Sequence, residues 1–299
     1  MSFSSVWRAV QRFFAGGRTL NDLGEWLDMP LTRIKDVPLT YYEFKIPKRS
    51  GGQRRILAPN DKLKRLQRRI HRRLLRRLKS HSCATGFEDG QSIVDNAVPH
   101  LEAAVIVKLD IVDFFPSIQF FDVQGMFRRR GWGRSAASLL AEICTHEDVL
   151  PQGAPTSPKL SNLVNKGLDQ ALDNIADCFC ANYTRYADDV TFSFARDDDP
   201  DQVRDLLYNV RGVIGRFGYE VHHRRKLSVR RQHQRQEVTG LVVNGERPRL
   251  PRETRRWLRA VRHRVATRGY GTLTAEQLAG WESLERMIEQ SGTSRPIPE

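Results

Sequence analysis

Arg185-Tyr186-Ala187-Asp188-Asp189-Val190-Thr191-Phe192 sets two adjacent carboxylates between two runs of strand-forming residues. Cys180-Ala181-Asn182-Tyr183-Thr184 leads into it, and Ser193-Phe194 continue it. Aromatic and β-branched residues dominate both sides, so the stretch predicts a hairpin with Ala187, Asp188 and Asp189 at its turn. In mid-strand, neighbouring side chains point to opposite faces, and two adjacent Asp could not share a ligand. At a turn the backbone bends, and both can converge on one cation. By itself an Asp-Asp turn is ordinarily a solvated turn. Its meaning depends on a third carboxylate elsewhere.

Asp110 is the candidate. It ends Ala103-Ala104-Val105-Ile106-Val107-Lys108-Leu109, which reads as a buried strand. Alone, an Asp ending a strand is a turn residue. On a strand next to the hairpin it completes a three-carboxylate cluster. Three such groups repel, and without a cation at least one takes up a proton. Hard oxygen ligands suit Mg²⁺, which is usually held by one or two carboxylates plus substrate phosphates. Two such ions about 3.5–4 Å apart can activate an attacking 3′-hydroxyl and stabilise a leaving pyrophosphate. That chemistry is in-line phosphoryl transfer, driven by positioning and charge neutralisation.

The chain has 299 residues, room for one large domain or two modest ones with a real core. No stretch approaches the roughly 20 apolar residues that cross a bilayer, and Met1 to Arg8 lacks the basic-then-apolar order of a secretory signal. Cys83, Cys144, Cys178 and Cys180 show no framework spacing, so buried thiols in a reducing cytoplasm are expected. Forty-nine Lys and Arg against thirty-five Asp and Glu leave a net charge of +14. Such a surplus favours a polyanionic partner, nucleic acid or anionic membrane.

The placement of that charge is informative. Residues 1–40 read as short helical pieces. Tyr41–Pro47 and Arg54–Pro59 read as a hairpin with Lys48, Arg49, Arg54 and Arg55 around its tip. From Lys62 to Lys79, Leu63, Leu66, Ile70, Leu74, Leu75 and Leu78 recur at helical spacing. The other positions include Lys64, Arg65, Arg68, Arg69, Arg72, Arg73, Arg76 and Arg77, and no acid. A solvated face would mix in Glu for i,i+4 pairs; this one suits a row of phosphates. Helices are predicted over Ala136–Ile143, from Lys159 to about Ala176, and after Asp199-Pro200, read as N-cap and first helical position. A strand pair over Tyr219–Val229 and a hairpin over Glu237–Gly245 follow. The last fifty residues are helical: Arg252, Arg255, Arg256, Arg259, Arg262, Arg264 and Arg268 flank an apolar stripe, and Thr274-Ala275-Glu276-Gln277 is a capping box. The order from Ala103 to Val229 suits an α+β arrangement, an antiparallel sheet backed by helices.

These motifs together resemble the reverse transcriptases, in that family's order from about Tyr41 to Asn244. Arg54-Arg55-Ile56 through Pro59, with Lys64-Arg65-Leu66-Gln67, resembles the first fingers block. Asp110 with Phe114-Phe115 resembles motif A, and Gln152-Gly153-Ala154-Pro155-Thr156-Ser157-Pro158 resembles motif B. Tyr186-Ala187-Asp188-Asp189 is similar to motif C, and Gly218-Tyr219 through Lys226 to motif D. Asn96-Ala97-Val98-Pro99-His100 fits the Asn-Ala-x-x-His motif of retron reverse transcriptases, and Val238-Thr239-Gly240 their Val-Thr-Gly motif. Structurally, the first reads as a helix cap and the second as a tight turn.

The resemblance implies a right-hand polymerase of fingers, palm and thumb with an antiparallel palm sheet. A helical extension would cover 1–40, fingers and palm 41–245, and a helical thumb 246–299. Asp110, Asp188 and Asp189 would be catalytic and hold two Mg²⁺ ions, with Mn²⁺ a substitute and the Ile111 carbonyl a further ligand. Arg54 would meet the triphosphate, with Lys48 a second candidate. Gln152 and Gly153 would line the nucleotide pocket, Phe115 would exclude a ribose 2′-hydroxyl, and Lys226 would protonate the departing pyrophosphate. Arg65, Arg69, Arg72, Arg76, Asn96, His100, Thr239, Arg255, Arg259 and Arg262 would contact RNA.

The implied biology is RNA-templated DNA synthesis on a cognate structured non-coding RNA, primed from a guanosine 2′-hydroxyl. The product would be branched RNA–DNA (msDNA), made with dNTPs in the cytoplasm and serving antiphage defence beside an effector protein. After Gly245 about fifty residues remain, few for an RNase H domain, so a host RNase H is an expected partner and a membrane is not. The alternatives are a group II intron-like or other bacterial reverse transcriptase, an RNA-templated RNA polymerase, and a non-catalytic RNA-binding scaffold of the same fold.

Overall fold

The computed structural model describes residues 16–47, 51–222, 227–268 and 271–291. In chain order, α1 (Leu20–Leu27) and α2 (Leu31–Lys35) precede β1 (Tyr41–Pro47), β2 (Gln53–Pro59) and α3 (Asp61–Ile70). Next come α4 (Ile93–Ala97), β3 (Val105–Asp110), α5 (Phe120–Arg129), α6 (Arg134–Cys144), α7 (Ser157–Val164) and α8 (Lys166–Cys178). Then follow β4 (Ala181–Tyr186), β5 (Asp189–Phe194), α9 (Gln202–Arg216), β6 (Ser228–Arg231), β7 (Glu237–Val238) and β8 (Leu241–Val242). Helices α10 (Arg252–Arg268) and α11 (Ala275–Gln290) complete the order. Two compact units result: residues up to 81 with 113–168, and residues 82–112 with those from 169 onward.

In the first unit β1 and β2 form an antiparallel hairpin, from Tyr41 opposite Pro59 to Pro47 opposite Gln53. Helix α1 starts on a capping box of Thr19 and Asp22 and stops where Asp28 turns left-handed. Asn60 caps α3 by accepting the Leu63 N–H at 3.0 Å. A π-helical turn, His71–Leu75, extends α3. The extra residue in that turn keeps Leu74 and Leu75 buried in line with Leu63, Leu66 and Ile70. One predicted helix from Lys159 to Ala176 is instead two, α7 and α8, with Asn165 between them.

In the second unit a four-stranded antiparallel sheet has the order β4-β5-β3-β6. Strand β3 lies inside it, which is why Val105, Ile106, Val107 and Leu109 form an almost unbroken apolar run. Val94, Ala97, Ala103, Ile106, Val238, Leu241 and Leu250 pack into one cluster with Leu258 of α10 and Ile288 of α11. Each fully buried side chain of this kind contributes roughly 1.5–3 kcal/mol. The predicted capping box at Thr274 forms, with Gln277 returning the bond. Thr239 (φ 47°) and Gly240 (φ 80°) make the two-residue turn of the β7–β8 hairpin, where both central residues need positive φ.

The cysteines depart from expectation. Cys144 is buried, but Cys178 and Cys180 are exposed, one closing α8 and the other leading into β4. Among the described residues no helix is long and apolar enough to cross a membrane.

Candidate active site

Asp110 is the last residue of β3, and its partner across the ladder is Asp189, the first of β5. Directly opposed residues share a face of the sheet, so two carboxylates stand side by side where like charges are unfavourable. Asp188 precedes them in the turn, and its carbonyl accepts the Ile111 N–H at 3.0 Å. Asp110 and Asp189 thus share one end of one sheet with Asp188 in the adjoining turn, Asp189 beginning the strand rather than lying in the turn. Asp110 is only 6% exposed. Its main-chain carbonyl accepts the His222 N–H at 3.0 Å, and the His222 Nε2 lies 3.4 Å from the Asp110 Oδ1. Three hard oxygen donors at a strand end and turn fit Mg²⁺ or Mn²⁺ in kind.

A cleft of about 630 Å³ opens beside the Asp110–Asp189 pair. Lys108 lines it, two residues before Asp110 and so on the same face of β3. Ser228 and Arg230 line it from β6, where Ser228 stands opposite Lys108 and Arg230 opposite Ile106. Sequence reasoning passed over Lys108 and Arg230; the signal was a lysine interrupting an otherwise apolar strand.

Arg54, Phe115, Gln152 and Gly153, expected around a nucleotide, lie in the first unit. Arg54 is exposed near the start of β2. Gln152 sits against the same strand, its carbonyl accepting the Leu57 N–H at 2.8 Å. Gly153 has φ +127°, and a Cβ there would fall 2.8 Å from the Leu57 carbonyl oxygen and 2.9 Å from Ile56 Cγ2. Glycine is therefore required twice over, by the backbone angle and by the close approach. Phe115 is half-buried, its ring edge-on to Phe114 at 5.6 Å. Lys226, Lys48 and Arg49 lie outside the described residues.

The profile of the family described as reverse transcriptase (RNA-dependent DNA polymerase) matches residues 46–241. Retron Mx162 reverse transcriptase of Myxococcus xanthus is 36% identical, over 86% of this chain and 59% of its own length. Retron Ec86 reverse transcriptase of Escherichia coli is 34% identical over 86% and 79%. Retron Mx65 reverse transcriptase of Myxococcus xanthus is 40% identical over 87% and 64%.

The chain belongs to the retron reverse transcriptases.

Several residues that the retron resemblance assigns to RNA are occupied within the protein. Asn96 is buried, with its Oδ1 accepting from the Thr85 hydroxyl at 2.7 Å. His100 has 0% exposure. Its Nδ1 meets the Ser193 hydroxyl at 2.7 Å and its Nε2 the Thr184 hydroxyl at 2.8 Å, so it links β5 to β4. Burial, then the charge of Lys108, pulls its pKa down to about 3, and the ring is neutral. The Thr239 hydroxyl donates to the Ile93 carbonyl at 2.9 Å, tying the β7–β8 turn to α4. In this structure the Asn-Ala-x-x-His motif is thus an internal brace and the Val-Thr-Gly turn a partly exposed tie, and Asn96 and His100 offer no surface to RNA.

The basic helices also divide. On α3 and its π-helical extension Arg65 and Arg72 are exposed, Arg76 just beyond them is exposed but not without a partner, and Arg69 donates to both the side chain and the carbonyl of Asp28 at 2.8 and 2.7 Å. The acid missing between Lys62 and Lys79 is supplied by Asp28 at the end of α1. On α10, Arg255 and Arg259 are exposed, while Arg262 is held by Glu285 and Glu282 of α11.

Proposed function

We propose that this chain is an RNA-directed DNA polymerase that copies a cognate structured RNA from a guanosine 2′-hydroxyl and yields branched RNA–DNA. The observation that carries the reading is the in-register Asp110–Asp189 pair with Asp188 in the adjoining turn, in a member of this family. The chain spans 59% and 64% of the two Myxococcus relatives and 79% of the Escherichia coli one. The whole-protein role is accordingly taken from the site and the charge as well as from kinship.

Within the reading, Asp110, Asp188 and Asp189 hold two divalent ions, Mg²⁺ by the hardness of their oxygens. Held there, such ions would supply the acidity that activates an attacking hydroxyl and the positive charge that offsets a leaving pyrophosphate. The chain's own contributions are positional. The Ile111 N–H fixes the Asp188 carbonyl and the His222 N–H the Asp110 carbonyl, so the carboxylates start from defined backbone. Lys108 and Arg230 place positive charge along the cleft, suited to a phosphate-bearing strand leading to the carboxylates. Arg54 is assigned to the triphosphate, Gln152 and Gly153 to the base and sugar, Phe115 to sugar choice, and Lys226 to the pyrophosphate. What supports the nucleotide assignment is that Arg54's strand and Gln152–Gly153 are joined by a main-chain hydrogen bond.

The division into fingers, palm and thumb follows the same reading, with the β4-β5-β3-β6 sheet as palm and α10–α11 as thumb. Arg65, Arg72, Arg76, Arg255 and Arg259 are the RNA-facing charges. An effector protein, a host RNase H, a cytoplasmic setting and a role in antiphage defence complete it. The deciding experiment is the Asp188→Ala, Asp189→Ala double variant. It is expected to make no cDNA while retaining RNA binding, and undiminished DNA synthesis would overturn the reading. A short DNA joined to RNA by a 2′,5′ link, recovered with the purified protein, would identify the product.

A further inference from the structure

Behind the carboxylate turn lies a fully buried arginine that the polymerase chemistry does not itself require. Arg185, next to last in β4, has 0% exposure. Its Nε and Nη2 donate to the two carboxylate oxygens of Asp169 on α8 at 2.6 and 2.7 Å. The Tyr183 hydroxyl donates to the same carboxylate at 2.9 Å, and burial, followed by the Asp169 charge, keeps that hydroxyl protonated. The fork is thereby fixed in plane, leaving Nη1 aimed at the turn, where it donates to the Ala187 carbonyl at 2.9 Å.

A buried ion pair is a weak source of stability, because desolvation offsets the attraction. Its distinctive product here is direction. Ala187 sits in the left-handed region at φ +58°, which a residue with a Cβ adopts only when its surroundings hold it there. Three contacts do so in succession. On the entry side the Gly86 backbone presses close, since a Cβ at position 86 would lie 3.0 Å from the Ala187 nitrogen and 3.2 Å from the Tyr186 Cα. Arg185 takes the next carbonyl, and the Ile111 N–H takes that of Asp188. Arg185 is itself anchored at the backbone, donating to the Cys83 carbonyl at 2.8 Å and accepting from the Thr85 N–H at 3.0 Å.

We propose that Asp169 and Arg185 are positioning residues for the metal-binding turn: the guanidinium, locked by Asp169, sets the peptide that carries Asp188 and Asp189. This inference rests on the reading of Asp110, Asp188 and Asp189 as the metal site. Arg185 touches neither substrate nor metal and acts through the Ala187 carbonyl.

The test is Mn²⁺ binding to the full chain, followed by electron paramagnetic resonance, together with steady-state DNA synthesis. Arg185→Lys keeps the charge opposite Asp169 but loses the planar fork that serves Asp169 and Ala187 at once. It is expected to weaken Mn²⁺ binding by about 10- to 100-fold, the usual effect of removing a residue that orients a ligand. The synthesis rate kcat is expected to fall with it while KM for the template stays put. A second variant separates positioning from folding: Asp169→Leu, Tyr183→Phe and Arg185→Met together replace the buried polar group by apolar side chains. Such replacements are commonly neutral or stabilising, so this chain is expected to fold by circular dichroism and still bind Mn²⁺ weakly. Wild-type Mn²⁺ affinity in either folded variant would overturn the inference. If instead wild type shows no Mn²⁺ binding that Asp188→Asn removes, the metal-site reading itself fails.

Discussion

Asp110 and Asp189 face one another across the β3–β5 ladder, the last residue of one strand opposite the first of the next. Like charges directly opposite one another on a ladder are destabilising. Asp189→Asn is therefore expected to raise stability in EDTA, by up to about 1 kcal/mol for one relieved like-charge pair, while abolishing DNA synthesis. Adding Mg²⁺ is expected to raise the melting temperature of wild type and leave the variant nearly unmoved. Equal Mg²⁺ shifts in both proteins would remove Asp189 from the metal site.

His100 gives the fold a pH dependence whose sign is fixed. Its pKa is held at about 3, against 6.5 for a free imidazole. Between those values the unfolded chain binds a proton that the folded chain refuses. The stability due to the neutral ring is complete above about pH 6.5 and is lost as pH falls toward 3, by at most about 1.4 kcal/mol per pH unit. Urea midpoints from about pH 7.5 down to 5 should fall for wild type and fall less steeply for His100→Gln. Parallel curves would show that the β4–β5 brace titrates elsewhere.

Phe115, half-buried against Phe114, is the residue proposed to select the sugar. Phe115→Ala is expected to raise ribonucleotide over deoxyribonucleotide incorporation by about tenfold or more, since a removed clash favours the bulkier sugar. Primer extension with each nucleotide set measures the ratio. An unchanged ratio would assign sugar choice to another residue.

Arg259 and Arg262 sit on one helix and should fail differently. Arg259 is exposed, so Arg259→Ala should weaken RNA binding and lower the slope of log affinity against log salt by about 0.7–0.9, the loss of one phosphate contact. Arg262 spends its charge on Glu282 and Glu285. Arg262→Ala should leave the salt slope intact and cost stability, within about 1 kcal/mol for a pair that solvent reaches. Filter binding at several salt concentrations distinguishes the two.

The carboxylate hairpin was legible because turn, β-branched flanks and a lone apolar strand ending in Asp110 all carry local signals. The capping box at the start of α11 was legible for the same reason: Thr274 and Gln277 are three residues apart. What was not legible depends on partners distant in sequence. Arg69 meets Asp28 from forty-one positions away, and Arg262 meets Glu285 across a helical hairpin, so both look like free cations when their helices are read alone. Asn96 and His100 read as a helix cap and as RNA contacts because hydropathy cannot see that Thr85, Thr184 and Ser193 wait for them in the core. Arg185 was passed over as part of a motif; the available hint was a cation at a position where strand alternation demands a buried side chain. The break at Asn165 inside a continuous helical pattern carries no comparable hint.

The interleaving of the two units bears on how the polypeptide is made. The first unit needs residues 113–168 to join those before 82, and the second needs β3 to wait for β5 and β6. No N-terminal fragment that stops short of residue 168 contains a finished unit. On a ribosome the nascent chain must carry the apolar Val105–Asp110 strand unpaired until β5 has emerged at residue 194, and with one edge open until about residue 231. Such long-range pairing folds slowly and exposes strand edges meanwhile. Split versions of this enzyme cut between β3 and β4 should therefore accumulate as insoluble halves, whereas slower synthesis at low temperature should favour the intact product.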